Sequence, residues 1–225
     1  MHQVSDPSIL YFGTPVVLVG TTNEDGTYNV APISSIFWLG WRAVIGISAL
    51  SKSTANLQRT GEVVLNLPSV CEVDAVNKLA LTTGTNPVPE SKRQKGYRYE
   101  PDKWSVSGLT PRAADLVEAP LIDECPVQLE AVVTAIHSLA EDREIQRGRI
   151  FTIELKIIRV HLQDHILMDG HPNRIDPNKW RPLIMSFQQF YGLGHQLRPS
   201  TLAHVPEHLY RTPDIEEAKM IFEKL

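Results

Sequence analysis

Short apolar runs alternate with small polar turns along most of the chain. Residues 15–22, PVVLVGTT, predict a strand that opens on a proline. Asn23-Glu24-Asp25-Gly26 supplies a hairpin turn, and residues 27–30 a short return strand. Ala31-Pro32 then removes a ladder donor and holds Ala31 extended, so the sheet edge is expected to open there. Residues 33–41 are apolar behind Ser34 and Ser35, with Trp38 and Trp41 flanking Gly40 as expected packing residues. In residues 42–48, Ala43, Ile45 and Ile47 share one face, and the opposite face, Val44 and Gly46, is also apolar. Ser51-Lys52-Ser53-Thr54 opens a short helix with Ser51 or Ser53 as N-cap, Leu57 as anchor and Gly61 as breaker. Residues 62–67 predict another strand, closed by Pro68.

The pattern then loosens and recovers. Residues 70–81 predict a weak helix burying Val73, Val76 and Leu79 or Ala80, and residues 82–101 a polar excursion from the main body. Thr110-Pro111 has the chemistry of a helix start. Residues 125–139 form a long strand, 140–143 a turn, and 149–162 the return. On the return strand the apolar phase switches from Ile157 to Ile158, which predicts a bulge near residues 156–158. Residues 164–198 are irregular, and Tyr191 stands beside Gly192 and Gly194, where backbone can pass close to a planar ring. Asp214 and Glu217 have capping-box spacing before a last helix whose apolar face is Ile215, Ala218, Ile221, Phe222 and Leu225. Many strands, few long helices and 16 prolines favour a closed or nearly closed antiparallel barrel. The expected organisation is one domain over 1–225, with a barrel core at about 10–165 and an irregular, helical extension over 166–225.

Composition narrows the function classes. Of 225 residues, 42% are hydrophobic and 21% charged, with a net charge of -4, so no global field favours nucleic acid. No run is long enough to span a membrane, the amino terminus lacks signal-peptide chemistry, and two cysteines without CxxC spacing suit a reducing, cytoplasmic setting. Cys71 and Cys125 lie in apolar surroundings and are expected to be buried thiols. His161, His165 and His171, with Asp164 and Asp169 near, do not have convincing ligand spacing, so no metal is expected.

The candidate chemistry is a cradle without a general acid or base. There is no G-x-S-x-G elbow and no G-x-G-x-x-G fingerprint. The seams NVAPISS and SALSKSTANLQ instead carry hydroxyls, amides and one lysine, with no carboxylate. A phosphate is expected on Ser48, Ser53, Thr54 and the local amides, with Lys52 adding charge at the helix start. This fits a cofactor that brings its own reactivity.

Asn29-Val30-Ala31-Pro32-Ile33-Ser34-Ser35, then Ser48, then Thr54-x-Asn56-Leu57, then residues 60–68, TGEVVLNLP, resemble the flavin reductase-like, FMN-binding split-barrel family. Ala119-Pro120-Leu121, Arg181-Pro182-Leu183-Ile184 and Phe190-Tyr191-Gly192 extend the likeness. The resemblance implies a mainly β, six-stranded antiparallel split barrel with short peripheral helices and a C-terminal helix. It implies FMN at a homodimer interface, with Asn29, Ala31, Pro32, Ile33, Ser34 and Ser35 beside the isoalloxazine. Ser48, Ala49, Ser53 and Thr54 would border the phosphate, with Lys52 near, Asn56 bracing the turn and Tyr191 in the closing segment. The implied activity is hydride transfer from NAD(P)H to flavin and on to an acceptor such as free flavin, oxygen or a partner oxygenase. A non-catalytic FMN-binding electron carrier or sensor is the alternative.

Overall fold

A computed structural model of the protein describes residues 1–222. Seven strands form its main sheet: β1 Val17–Thr22, β2 Tyr28–Ile33, β3 Ile36–Leu39, β4 Arg42–Ser48, β5 Glu62–Leu67, β6 Val127–Ser138 and β7 Ile150–Leu162. Their order is β2-β1-β5-β6-β7-β4-β3, antiparallel throughout. Helices lie around this sheet: α1 Lys52–Thr60, α2 Val73–Leu79, α3 Lys103–Ser107 and the C-terminal α4 Pro213–Phe222. The chain is thus a mainly β split barrel with short peripheral helices and a C-terminal helix.

Alternation along the strands sorts side chains between an inner and an outer core. Val17 and Val19 of β1, Val63 and Leu65 of β5, Ala43, Ile45 and Ile47 of β4, and Ile153 and Leu155 of β7 fill the barrel with Leu57 of α1. The other face of β1 turns Leu18 into a second cluster, where Val76 and Leu79 of α2, Leu109, Ile122 and Leu183 meet it. Both faces of β1 are therefore covered, which is why it reads as a continuous apolar run. Fully burying a side chain such as Leu18 contributes roughly 2 kcal/mol.

Several expectations hold in detail. Gly26 closes the first hairpin at φ +81°, and Gly61 ends α1 at φ +70°. Ser51 is the N-cap of α1, accepting from the Thr54 N–H. Glu130 pairs with Arg159 and Ala131 with Ile157, so Ile158 is the extra residue of a bulge where the apolar phase switches. Trp38 and Trp41 pack against the barrel core.

Other expectations are corrected. The strand does not stop at Val30: β2 runs through Pro32, which pairs with Leu18. β2 is an edge strand, where a missing N–H can face away from the ladder. Thr110-Pro111 starts no helix; Pro111–Arg112 pairs with Leu121–Ile122, and the Glu124 carboxylate accepts from the Thr110 N–H. The helix of this region lies earlier, as α3, with Asp102 accepting from Ser105 N–H. Cys71 is exposed, and only Cys125 is buried. Asp214 lies inside α4 and not at its cap; its carboxylate meets Arg42 and Lys156. Glu217 also reaches Lys156, so ion pairs fix α4 on β4 and β7 together with buried Ala218, while Ile221 is exposed. Leu225 lies outside the described residues.

The excursion at 82–101 folds back on the body. Thr82–Thr83 pairs in parallel with Arg98–Tyr99, and Glu90–Arg93 forms one helical turn between them. Thr85 Oγ1 donates to the Leu50 carbonyl at 3.3 Å, which holds the excursion over the start of α1.

Candidate functional site

The start of α1 is built by the turn that follows β4. Thr54 donates its N–H to Ser51 Oγ at 3.0 Å and its hydroxyl to the Ser48 carbonyl at 2.7 Å, and Ala55 N–H bonds the Ser51 carbonyl at 3.2 Å. Among the described residues no acceptor meets the first-turn amides of Lys52 and Ser53. Those two donors carry the positive end of the helix dipole. Lys52 stands beside them and its ammonium pairs with Glu24 on the first hairpin. That contact holds the Glu24 carboxyl below the usual carboxylate range.

A cleft of about 490 Å³ opens in front of this helix start, between Ala49, Leu50, Ser51, Lys52 and Ala55 on one side and the excursion on the other. Gly84, Thr85, Asn86, Pro89 and Tyr99 make the second wall. Gly84 is tightly seated: a Cβ there would come within 3.0 Å of Asn29 Oδ1 and 3.2 Å of Lys52 Cγ. None of the lining residues is a carboxylate.

Beneath the cleft lies a buried polar network. Asn29 Nδ2 donates to Thr21 Oγ1 at 3.2 Å and to Ser53 Oγ at 3.1 Å. Asn56 Nδ2 donates to Thr21 Oγ1 and to Asn23 Oδ1, each at 3.0 Å, while its buried Oδ1 has no partner among the described residues. Lys103, on α3, reaches in from the other side and donates from Nζ to Asn29 Oδ1 at 3.0 Å and to the Val30 carbonyl at 2.8 Å. Burial, and then the charge of Lys92, lower the Lys103 ammonium pKa to about 8.

The expected site residues divide by position. Ala49 and Lys52 line the cleft, and Ser48 is exposed beside it. Ser53, Thr54 and Asn56 are buried, and their side chains brace the helix start from within. Asn29 sits at the centre of the network. Ala31, Pro32, Ile33 and Ser34 are partly exposed on or just after β2, and Ser35 is exposed, its carbonyl accepting from Gly46 N–H at 2.7 Å. Tyr191 lies elsewhere, paired with Ile184 in a small sheet with Thr14–Pro15, and its ring is exposed. Sequence reasoning missed Thr21, Gly84, Thr85 and Lys103. The first is one of two threonines that end an apolar strand, and the others lie in stretches without periodicity.

His161 takes no part in a cluster with His165 or His171 among the described residues. It meets Glu130 across β6 and β7, with Nε2 and Oε1 2.6 Å apart. Glu130 is fully buried and also accepts from the N–H groups of Asp115 and Leu116. Burial would raise its pKa, but His161 and these amides hold it below the usual range. Asp115 comes near the pair, yet its carboxylate is 2.6 Å from Arg159. The dyad pins the loop around residue 115 to the sheet.

The fold is thus an antiparallel split barrel with a cleft at a helix start whose lining holds no carboxylate. Residues 9–193 match the model of the flavin reductase like domain, and the chain belongs to that family, whose members are flavin reductase-like oxidoreductases. It is 36% identical over 191 residues to the uncharacterized protein YdfE of Bacillus subtilis (strain 168), covering 85% of this chain and 89% of that one. Its fold is similar to the flavoredoxin of Desulfovibrio vulgaris (Miyazaki F), with a TM-score of 0.70 at 21% identity over 90% of this chain and 99% of that one. Nitrilotriacetate monooxygenase component B from Bacillus cereus is similar with a TM-score of 0.66 at 20% identity, over 85% and 89% of the two chains. At these identities the two structures speak to the fold alone.

Proposed function

We propose that the protein is an FMN-dependent oxidoreductase that accepts hydride from NADH or NADPH and passes electrons to a second acceptor. The observation that carries this reading is the start of α1, where Lys52 lines a cleft without a carboxylate and brings an ammonium and an amide that meets no acceptor among the described residues. That donor set fits a phosphate monoester. FMN, when bound, supplies the redox chemistry, taking up hydride and releasing electrons singly or in pairs.

The chain's own residues bind, orient and insulate. Ser51, Lys52 and the first turn of α1 would hold the phosphate, and Ala31, Pro32, Ile33, Ser34 and Ser35 would border the ring. The buried Thr21–Asn29–Ser53–Asn56 network makes the floor rigid, so little reorganisation accompanies binding. No general acid or base among the protein side chains is needed for a hydride transfer, which agrees with a site rich in hydroxyls and amides.

A second copy of the chain would close the ring end. Phe37 and Leu39 of the edge strand β3 are 53% and 74% exposed, just beyond Ser35. An uncovered apolar edge strand is a pairing surface. Sedimentation at micromolar concentration should give a homodimer, and a monomer would remove this part of the reading. No described helix is long and apolar enough to cross a membrane. Both cysteines are free, which suits a reducing compartment such as the cytoplasm.

Titration of the purified protein with FMN, followed by flavin fluorescence quenching, tests the cofactor assignment. Saturable binding that Lys52→Met weakens is the expected result. Absence of binding at any FMN concentration would overturn it.

A further inference from the structure

We propose that Lys103 is a buried positioning cation that acts through Asn29 to set the affinity of the α1 cleft for the phosphate of a flavin mononucleotide. The inference rests on the flavin reading above and assigns a role to a residue outside the cleft itself.

Lys103 is only 5% exposed, yet no carboxylate pairs with it among the described residues. Its acceptors are neutral, the Asn29 side-chain amide and the Val30 carbonyl. A buried ammonium without a counter-ion opposes folding, and an apolar side chain of the same length would not. The arrangement gains a partner only when an anion arrives nearby.

Asn29 links Lys103 to the cleft wall. The Asn29 amide takes Lys103 on its oxygen and gives its nitrogen to Ser53, in the first turn of α1. The same oxygen lies beneath Gly84, which walls the cleft. Lys103 is thus one side chain behind the cleft floor, opposite Lys52 at its rim. Lys92, half-buried and donating to Thr83 Oγ1 at 3.3 Å, adds a further positive charge nearby, and Glu100 is the acidic group among the described residues that supports the Lys103 ammonium. Two cations on opposite sides of a low-dielectric floor raise the potential there more than either does alone. The pKa of about 8 agrees with a charge awaiting compensation, since a bound phosphate would pull it back up.

The test compares FMN with riboflavin, which lacks the phosphate, by fluorescence-quenching titration of wild type, Lys103→Met and Lys103→Gln, with urea unfolding as the check on folding. Glutamine keeps a donor toward Asn29 and Val30 but removes the charge. Both variants should weaken FMN about tenfold and leave riboflavin unchanged. Wild-type FMN affinity should fall as pH rises past about 8, and that fall should vanish in both variants. If methionine does not fold, the glutamine variant decides. FMN affinity preserved in Lys103→Gln, or equal losses for FMN and riboflavin, would overturn the inference while leaving the flavin reading standing. A wild type that binds neither ligand would overturn the flavin reading, and this inference with it.

Discussion

Asn29 Nδ2 and Ser53 Oγ lie 3.1 Å apart inside the protein, and their hydrogen bond fastens the edge strand β2 to the first turn of α1. Asn29 also donates to Thr21 and accepts from Lys103, so one amide joins two strands and two helices. Asn29→Ala should therefore destabilise the protein by about 2–4 kcal/mol, because it strands the Lys103 ammonium with one acceptor and leaves two hydroxyls short of a donor. Urea unfolding measures this. A loss below about 0.5 kcal/mol would mean that the network adds little to the fold.

Thr54 gives a second prediction, in which the sequence and the structure differ. The hydroxyl-rich seam suggests a side chain facing a phosphate, so that Thr54→Ala would weaken FMN with little unfolding. The structure turns that hydroxyl inward onto the Ser48 carbonyl at 2.7 Å. Thr54→Ala should then lower stability by about 1 kcal/mol, and Thr54→Ser should recover most of it. Thermal or urea unfolding of the two variants decides between the outward and inward roles.

Lys52 is shared between the cleft and Glu24. Freeing it should favour an anionic ligand. Glu24→Gln should tighten FMN severalfold at low salt, with the gain shrinking as ionic strength rises, and Lys52→Met should weaken FMN by about tenfold. Titrations at two salt concentrations check both. Tighter binding that does not respond to salt would point to a change of shape in place of charge.

The barrel was legible where one residue type carries one physical constraint. Apolar alternation in β4, the Ser51 cap, the Gly61 stop and the phase switch at Ile158 each act locally, and each appears as expected. Pro32 misled because proline forbids only a donor, and an edge strand does not need one there. Thr110-Pro111 misled because the same fixed φ that starts a helix also suits an edge strand. The buried half of the site was hidden for another reason. Lys103 is 74 residues from Asn29, and nothing in a lone lysine after a polar excursion says that it is buried.

Lys103 also makes stability depend on pH. Its ordinary value is 10.5, and burial lowers it to about 8 in the folded protein. Between these values the unfolded chain binds more protons than the folded one, so stability rises with pH across that window. Below about pH 8 both states are charged and the full burial penalty is present. In ligand-free protein, wild type should gain up to about 3 kcal/mol relative to Lys103→Met between pH 8 and 10.5. Urea unfolding at the two ends of the window measures it, and a constant difference between the proteins would place the Lys103 ammonium in water.

The measurement closest to the central claim is an anaerobic one. Protein loaded with FMN and freed of excess flavin is mixed with NADH, then with NADPH, while the flavin absorbance band is followed. Bleaching by at least one nicotinamide, with colour returning when an electron acceptor is admitted, is the predicted result. A retained flavin that neither nicotinamide bleaches would contradict the oxidoreductase assignment and leave a protein that holds FMN without turning it over.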